Sequence, residues 1–163
     1  MKNIKVIEEK IIPFNKISDG VKAGRLLSKK IAFTNGCFDM LNQGHIYSLS
    51  QAAKQADYLV VGVNADSSVR KLKGGHRPIN NEHTRTLILA SLILVDAVVV
   101  FEEDTPLELI KKIMPDVLVK GGDYAIETIV GANEVIANGG SVVINPLLEN
   151  FSTTGIIEKI KNL

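Results

Sequence analysis

The sequence predicts an α/β fold: a Rossmann-like, doubly wound parallel sheet of five strands that forms a single domain. Short apolar runs rich in β-branched residues alternate along the chain with stretches of helical periodicity. Strands joined through helices in this way are parallel, and their crossovers are right-handed. The 163 residues are enough for one domain with a substantial core and too few for two ordinary domains. In such sheets ligands bind beyond the carboxyl ends of the strands, near the topological switch point.

Five short apolar runs supply the predicted strands, and their composition is typical of strands buried on both faces. In chain order they lie at residues 31–33, 58–63, 97–101, 117–119 and 141–144. A sheet made of such strands needs helices on both of its faces.

Helical periodicity between the strands predicts these covering helices. Their apolar positions are Ile46, Leu49 and Ala53 in one helix, Leu87, Ile88, Ser91, Leu92 and Val95 in the next, Leu109, Ile110 and Ile113 in a third, and Ile156, Ile157 and Ile160 in the last. Thr105 is predicted to be the N-cap of the third helix, with Pro106 as its first residue.

Residues 1–29 are predicted to form an N-terminal extension to a domain that spans residues 30–163. Within this extension Val21, Leu26 and Leu27 are spaced to line a helix that packs on the outside of the domain.

Composition excludes several classes of function. The 19 Lys and Arg residues nearly balance the 18 Asp and Glu residues, so no global field attracts nucleic acid or an anionic membrane. Cys37 is the only cysteine, which excludes an intrachain disulfide and favours a reducing compartment. Residues 1–10 lack the apolar core of a signal peptide, and the most apolar stretch, 87–101, is interrupted by Ser91 and Asp96. We therefore predict a cytoplasmic protein with no nucleic-acid or membrane partner.

Residues 34–45 form the most informative stretch of the chain, because a Gly-punctuated turn joins the first predicted strand to a helix. Backbone N–H groups at the start of a helix are free to bind an anion. His45 at this helix start is placed to lie against a bound phosphate, which points to phosphate chemistry on a nucleotide. A lone histidine is more often structural, but Gly36, Gly44 and the preceding strand favour the functional interpretation.

Asn42, three residues before His45, has two interpretations that the sequence leaves open. Its amide can donate a hydrogen bond to a phosphate, although it never carries a positive charge. Asparagine is equally well suited to a turn.

A basic, Gly-rich segment at residues 70–78 follows the second predicted strand, which ends at Asn64. Such segments are usually only solvated surface, but this one leaves the carboxyl edge of the sheet. Lys73, favoured over Lys71, is predicted to neutralise phosphate charge there. His76 and His83 are interpreted as surface residues, and their spacing with His45 is not that of a zinc site, so no metal ligands are predicted.

Two later segments reach the same predicted edge. Lys120 and the glycine pair that follows it come directly after the fourth strand, and glycines there allow a ligand to approach the backbone closely. Asp123 is suited to a sugar hydroxyl, or to retaining magnesium through water. The hydroxyl residues at 152–154 precede the last helix, where they act as caps or present hydroxyls and N–H groups to phosphate.

Phe38-Asp39 followed by Gly44-His45 resembles the signature of the nucleotidylyltransferase superfamily, which usually ends in His-x-Gly-His; here Asn42 takes the place of the first histidine. The similarity extends from about residue 30 to the C-terminus. The segments that carry it are Thr-Asn-Gly-Cys-Phe-Asp, Val-Asn-Ala-Asp, Lys-Leu-Lys-Gly, Glu-Glu-Asp-Thr-Pro, Val-Lys-Gly-Gly-Asp-Tyr and Ser-Thr-Thr. Together they are similar to the free-standing form of the adenylyltransferases of ADP-heptose synthesis.

This resemblance implies that AMP passes from ATP to D-glycero-β-D-manno-heptose 1-phosphate, giving ADP-heptose for surface glycans such as lipopolysaccharide, and pyrophosphate. It implies Mg²⁺ carried by the triphosphate and a homodimer or larger assembly.

The resemblance also implies roles for particular residues. The implied catalytic residues are His45, Lys73 and Asn42. The implied nucleotide-binding residues are Cys37, Phe38, Asn42, Gly44, His45, Asn64, Lys120, Gly121, Ser152, Thr153 and Thr154. The implied substrate-binding residues are Asp39, Lys71, Arg85, Gly122 and Asp123.

Two other functions remain open at this stage. A CTP-dependent enzyme acting on glycerol 3-phosphate or a similar alcohol phosphate is one, although residues 147–151 lack the Arg-Thr-x-Gly-Ile that usually precedes Ser-Thr-Thr in such enzymes. A nucleotide-binding module without activity is the other, and only Asn42 motivates it.

Overall fold

A five-stranded, entirely parallel sheet forms the centre of the protein, which confirms the predicted fold. The computed structural model describes residues 3–122, 124–146, 151 and 153–162. The strands are β1 (Ile31–Gly36), β2 (Tyr58–Asn64), β3 (Ala97–Phe101), β4 (Val117–Gly121) and β5 (Ser141–Asn145). They lie in the order β3-β2-β1-β4-β5, so the switch point falls between β1 and β4.

The helices are α1 (Lys5–Glu8), α2 (Ile17–Leu26), α3 (Gln43–Ala53), α4 (Asp66–Lys73), α5 (Glu82–Ala90), α6 (Leu107–Ile113), α7 (Ala132–Ala137) and α8 (Thr153–Lys161). Helix α4 covers part of the segment predicted as a basic loop, so Lys71 and Lys73 lie in a last helical turn. The predicted cap at Thr105 is wrong: Pro106 holds the cap position of α6 and no side chain caps this helix. In the described part of the chain, no helix is both long and apolar enough to cross a membrane.

Alternate residues of each strand point into two apolar cores, one on each face of the sheet. On one face the helices α2, α6 and α7 contribute Ile17, Val21, Leu109, Ile110, Ile113, Ala132 and Val135. On the other face α3 and α5 contribute Leu49, Ala52, Leu89 and Ala90. Burial on both faces explains why the strand sequences are continuous apolar runs.

The N-terminal segment packs closely on the sheet. Ile17 and Val21 of α2 are fully buried, whereas Leu26 and Leu27 are 87% and 73% exposed, contrary to the prediction that they face the domain. Nearby, the Ile12 N–H donates to the Val98 carbonyl, and the Val98 N–H donates to the Lys10 carbonyl. This pairing covers the outer edge of β3, which would otherwise present free backbone groups. The division of the chain after residue 29 stays a prediction.

Replacing Gly131 by Ala should destabilise the protein more than replacing Gly139 by Ala. Both glycines have a left-handed φ, 85° and 84°, so the backbone cost of an added Cβ is shared. At Gly131 that Cβ would lie 2.6 Å from Cδ1 of the buried Ile110, whereas nothing lies within 4 Å of it at Gly139. We expect the Gly131 variant to lose about 1–3 kcal/mol more in free energy of unfolding, measured by urea titration. Equal losses would contradict the packing of α7 against α6.

Candidate active site

The candidate site lies where β1 and β4 end, because the helices that follow these two neighbours cover opposite faces of the sheet. Helix α3 follows β1 on one face, and α7 follows β4 on the other. A crevice at this position is open to ligands that approach from either side. Both strands end in glycine, Gly36 and Gly121.

The loop from β1 to α3 has a constrained backbone. Phe38 and Met40 both have a positive φ, 49° and 52°, which is uncommon for residues with side chains. The Phe38 ring is almost fully buried and lies 5.6 Å from the His45 ring, at a tilt of 57°. A Cβ on Gly36 would come within 3.2 Å of the Phe38 ring. The glycine therefore makes room for Phe38, and Phe38 supports one face of His45.

Asn42 and His45 form a reciprocal cap at the start of α3. The Asn42 Oδ1 accepts a hydrogen bond from the His45 N–H at 3.3 Å, and the Asn42 N–H donates to His45 Nδ1 at 3.2 Å. The intervening Gly44 has no space for a side chain: a Cβ there would lie 3.0 Å from the Phe151 carbonyl oxygen. The structure thus places Asn42, Gly44 and His45 together, with the segment before α8 packed on them.

Burial is the larger cause that lowers the pKa of His45 below its ordinary value, and the positive charge of Lys73 is the second. The Asp39 carboxylate opposes this shift in pKa. His45 is therefore neutral at physiological pH. Lys73 is thus close enough for its charge to act on His45; the catalytic roles of the two residues stay predictions. Lys71 instead pairs with Asp104, 3.1 Å away on the exposed surface.

Asp39 is buried, only 2% exposed, and accepts several hydrogen bonds. Its carboxylate accepts hydrogen bonds from Arg77 Nε at 2.7 Å, from the Ile79 N–H at 2.9 Å and from the Asn80 N–H at 3.0 Å. Its carbonyl accepts a hydrogen bond from the Thr153 hydroxyl at 2.8 Å. Burial alone would raise the pKa of Asp39, but the hydrogen bonds from Asn80, Ile79 and Arg77 outweigh it and hold the pKa below its ordinary value.

Arg85 is a second buried charge, 1% exposed. Its guanidinium donates to the Cys37 carbonyl at 2.6 Å, to the Asn64 carbonyl at 2.8 Å and to the Asn80 carbonyl at 3.1 Å, and it pairs with Asp66 at 2.7 Å. These contacts tie together the ends of β1 and β2 and the start of α5. The geometry gives Arg85 a structural role in building the site; contact with a substrate phosphate stays a prediction.

The hydroxyl segment before the last helix reaches the site through Thr153, which is buried and begins α8. Thr154 is exposed next to it. Ser152 and Asp123, two other predicted site residues, lie outside the described residues.

A cleft of about 420 Å³ opens beside the ends of β1, β2 and β4. Its described lining includes Gly36, Cys37, Asn64, Lys120 and Tyr124, with Leu118 and Ile129 of the α6–α7 core at its base. The cleft thus lies on the face of the sheet opposite α3 and His45.

Lys120 is the only cationic side chain in the described lining of this cleft. Its ammonium donates to Asn35 Oδ1 at 3.3 Å and lies 6.0 Å from the centre of the Tyr124 ring. Burial lowers the pKa of Lys120, and the nearby Cys37 opposes this shift. Gly122 has a φ of 127°, and a Cβ there would lie 2.7 Å from the Tyr124 ring, so this turn requires glycine. A half-buried ammonium held by a neutral amide is well placed for an anionic ligand.

Arg77 and Tyr124 were missed as site residues by sequence reasoning. Arg77 is in the basic segment predicted to leave the carboxyl edge of the sheet, but only Lys73 and Lys71 were given roles there, and its partner Asp39 is 38 residues away. No local signal marks such a pair. Tyr124 is the second residue after the glycine pair, and that position was the available signal. Within the described residues, no group of three or more His, Cys, Asp or Glu side chains is placed to hold a metal ion.

Comparisons with known proteins identify the family of the chain. A family model described as cytidylyltransferase-like matches residues 33–159. The bifunctional protein HldE of Mesorhizobium japonicum is 51% identical over 89% of this chain and 30% of its own length, and that of Koribacter versatilis is 50% identical over 96% and 32%. The chain therefore spans about a third of the length of these curated relatives.

Solved structures extend the comparison. The lipopolysaccharide core biosynthesis protein from Thermoplasma volcanium superposes with a TM-score of 0.61 at 27% identity, covering 76% of this chain and 99% of its own. Pantoate-beta-alanine ligase from Francisella tularensis superposes with a TM-score of 0.59 at 15% identity, covering 94% of this chain and 78% of its own, and shows the fold alone.

Replacing Asp39 by Asn should lower the free energy of unfolding by about 3–5 kcal/mol at neutral pH, because Arg77 is left buried without its counter-charge. As a control, Glu108→Gln removes an exposed pair with Lys111 and should cost no more than about 1 kcal/mol. Urea titration measures both.

The difference in free energy of unfolding between wild type and Asp39→Asn should depend on pH. Because the folded protein holds the pKa of Asp39 below its unfolded value, this contribution to stability is present above about pH 4 and is lost as the pH falls through the folded pKa. The gap between wild type and Asp39→Asn should therefore narrow in acid. A gap that stays constant for as long as the protein remains folded would contradict the assignment.

Proposed function

The chain belongs to the cytidylyltransferase-like family, and from this premise we propose that it is an adenylyltransferase that joins ATP and D-glycero-β-D-manno-heptose 1-phosphate to give ADP-heptose and pyrophosphate. The observation that carries the proposal is a two-sided site at the switch point. The capped His45 lies on the α3 side, and the cleft with Lys120 lies on the other. A transfer between two phosphate-bearing molecules needs two anion sites that meet at one reacting phosphorus.

In the proposed reaction an oxygen of the sugar phosphate attacks the α-phosphorus of ATP in line with the leaving group. A new P–O bond forms while the bond from the α-phosphorus to the bridging oxygen breaks, and pyrophosphate carries away the electron pair. No covalent intermediate with the protein is required. The protein's contribution is to position the reactants and to stabilise the charge that develops on the phosphate oxygens.

His45 and Lys73 stabilise this charge. Neutral His45 donates a hydrogen bond to an α-phosphate oxygen, and Lys73 supplies the positive charge that His45 lacks. The nucleotide extends along the β1–α3 loop and the start of α8, where it contacts backbone at Cys37, Phe38 and Gly44 and the hydroxyls of residues 153 and 154. Asn64 and Gly121 complete the nucleotide site, and Asn42 contacts His45.

The sugar phosphate occupies the cleft on the opposite face. Lys120 leaves its weak amide partner to bind the phosphate, and Tyr124, Thr105 and Asp104 line the space for the sugar. The sequence-based assignment placed Lys120 with the nucleotide; its position in the cleft supports the acceptor phosphate instead. Gly122 keeps the wall of the cleft open beside Tyr124.

Mg²⁺ enters this proposal with the triphosphate, whose β- and γ-phosphate charge it neutralises when bound. The described residues suit this arrangement, because they offer isolated carboxylates rather than an oxygen cage. Mg²⁺ is commonly held by substrate phosphates and water with few protein ligands. Asp123 is the residue proposed to retain it through water.

The choice of heptose rests on the sequence resemblance and on three of the proteins reported above. HldE relatives align with nearly the whole chain, and the Thermoplasma volcanium protein is described as acting in lipopolysaccharide core biosynthesis. A homodimer or larger assembly and a cytoplasmic location stay predictions.

Purified protein with magnesium, ATP and the heptose 1-phosphate should release pyrophosphate, whereas CTP with glycerol 3-phosphate should not. The assay crosses both nucleotides with both acceptors and follows pyrophosphate continuously. A His45→Ala control should be slower by about 10²-fold or more if the turnover belongs to this site. Release only with CTP and glycerol phosphate would replace the proposed function with cytidylyl transfer, and nucleotide binding without release in any pairing would favour an inactive module.

Replacing Lys120 by Met should raise the KM for the sugar phosphate by roughly tenfold or more, because a charged hydrogen bond to its phosphate is lost. The KM for ATP should change much less. Lys111→Met, which removes an exposed lysine on α6, is the control and should change neither constant. A larger effect on the KM for ATP would return Lys120 to the nucleotide site.

A further inference from the structure

Asn42 makes hydrogen bonds both to the ring and to the backbone of His45. The Asn42 N–H donates to His45 Nδ1, and the Asn42 side chain accepts from the His45 N–H. In a neutral imidazole one nitrogen carries the proton and the other accepts. Because Nδ1 accepts here, the proton of His45 lies on Nε2, and this nitrogen is the ring's only donor.

The charged form of His45 is incompatible with this arrangement, since both nitrogens of an imidazolium are donors. Protonation would set two N–H groups against each other at the Asn42–His45 contact. The burial of the ring and the neighbouring Lys73 charge act in the same direction. On its other side the ring is fixed by Phe38, whose own position depends on a left-handed backbone.

The Asn42 side chain is largely committed to the helix start. Its Oδ1 is the cap, and its Nδ2 lies 3.5 Å from the Met40 carbonyl. A Cβ on Gly44 would lie 3.2 Å from Oδ1, so the cap also depends on the glycine between the two residues. These contacts leave little of Asn42 to bind a phosphate directly.

We propose that Asn42 is a positioning residue, which caps α3 so that His45 is held as the Nε2–H tautomer with that single donor available to the transferred phosphate. This assignment rests on the proposed function for the identity of the phosphate. Of the two interpretations of Asn42 that the sequence leaves open, the proposal chooses the structural one. The residue acts on the reaction through His45 and contributes no charge of its own.

Three substitutions separate a capping role from a direct one. Asn42→Ser keeps an oxygen that caps a helix about as well as asparagine does. Asn42→Ala removes the cap, and Asn42→His puts at this position the residue that the superfamily signature usually has there. Urea titration of each variant first establishes that it is folded.

The spectroscopic readout is the tautomer itself. In protein labelled with ¹⁵N-histidine, couplings between ring protons and ring nitrogens distinguish a protonated Nε2 from a protonated Nδ1, and His45→Gln identifies the His45 signals among the three histidines. Wild type and Asn42→Ser should show only the Nε2–H tautomer. Asn42→Ala and Asn42→His keep the backbone N–H that donates to Nδ1, but they lack the Oδ1 cap that holds residues 42 and 45 in register, so they should show a mixture of tautomers.

The value of kcat should depend on which tautomer His45 adopts. Asn42→Ser should keep kcat within about threefold of wild type, whereas Asn42→Ala should lose roughly 10- to 100-fold in kcat with little change in the KM for ATP. An unchanged His45 spectrum in folded Asn42→Ala would overturn the proposal. So would an Asn42→Ser variant as slow as Asn42→Ala with the Nε2–H tautomer intact, because the amide would then act directly on phosphate.

The two readouts keep this proposal distinct from the proposed function. The spectra need no substrate, so a loss of the Nε2–H tautomer in Asn42→Ala supports the positioning role even if the wild type turns over none of the tested pairs. In that case the proposed reaction fails and the tautomer assignment stands.

Discussion

The burial of the Asp39 carboxylate is the constraint on which the site depends. An ionised carboxylate loses several kcal/mol of hydration when it leaves water, so the fold must return charge and hydrogen bonds to it. The donors come from Arg77 and from two consecutive backbone N–H groups at Ile79 and Asn80. The chain after α4 therefore folds back over the β1–α3 loop. In turn the Asp39 carbonyl holds Thr153, which fixes where α8 begins.

Arg85 is a buried charge of the opposite sign, and it needs hydrogen-bond acceptors just as Asp39 needs donors. Its guanidinium is satisfied by carbonyls at the ends of β1 and β2, so the two strands are tied at the edge where the ligand is expected. Asn80 links the two buried charges, since its N–H donates to Asp39 and its carbonyl accepts from Arg85. Asp39 and Arg85, which the resemblance implies are substrate-binding residues, thus form the frame of the site. A frame built from buried charges has few alternative arrangements, and this rigidity is what electrostatic catalysis needs from a protein.

Local patterns predicted the parts of this structure that depend on local physics. Burial on both faces makes a strand such as β2 a continuous apolar run, and the turn before α3 carries its own signal in Gly44 and His45. The missed features depend on contacts between distant parts of the chain. The pairing of Arg77 with Asp39 joins residues 38 apart, and the exposure of Leu26 and Leu27 follows from the direction in which α2 meets the sheet. The supposed cap at Thr105 failed because residue type alone does not show which residue ends the preceding loop.

In the proposed function one histidine is enough on the α3 side of the site, because other residues supply the positive charge. A second imidazole at position 42 would add a donor, but it would displace an amide that closes the helix start and orients His45. Position 42 itself carries no positive charge, but Lys73, in the last turn of α4, has a charge that acts on His45. In the proposed function, charge and geometry are therefore supplied by different residues: Lys73 and Lys120 provide the charge, and Asn42 provides the geometry. Because a neutral His45 donates from one nitrogen only, its direction matters more than its charge, and that direction is set before any ligand binds.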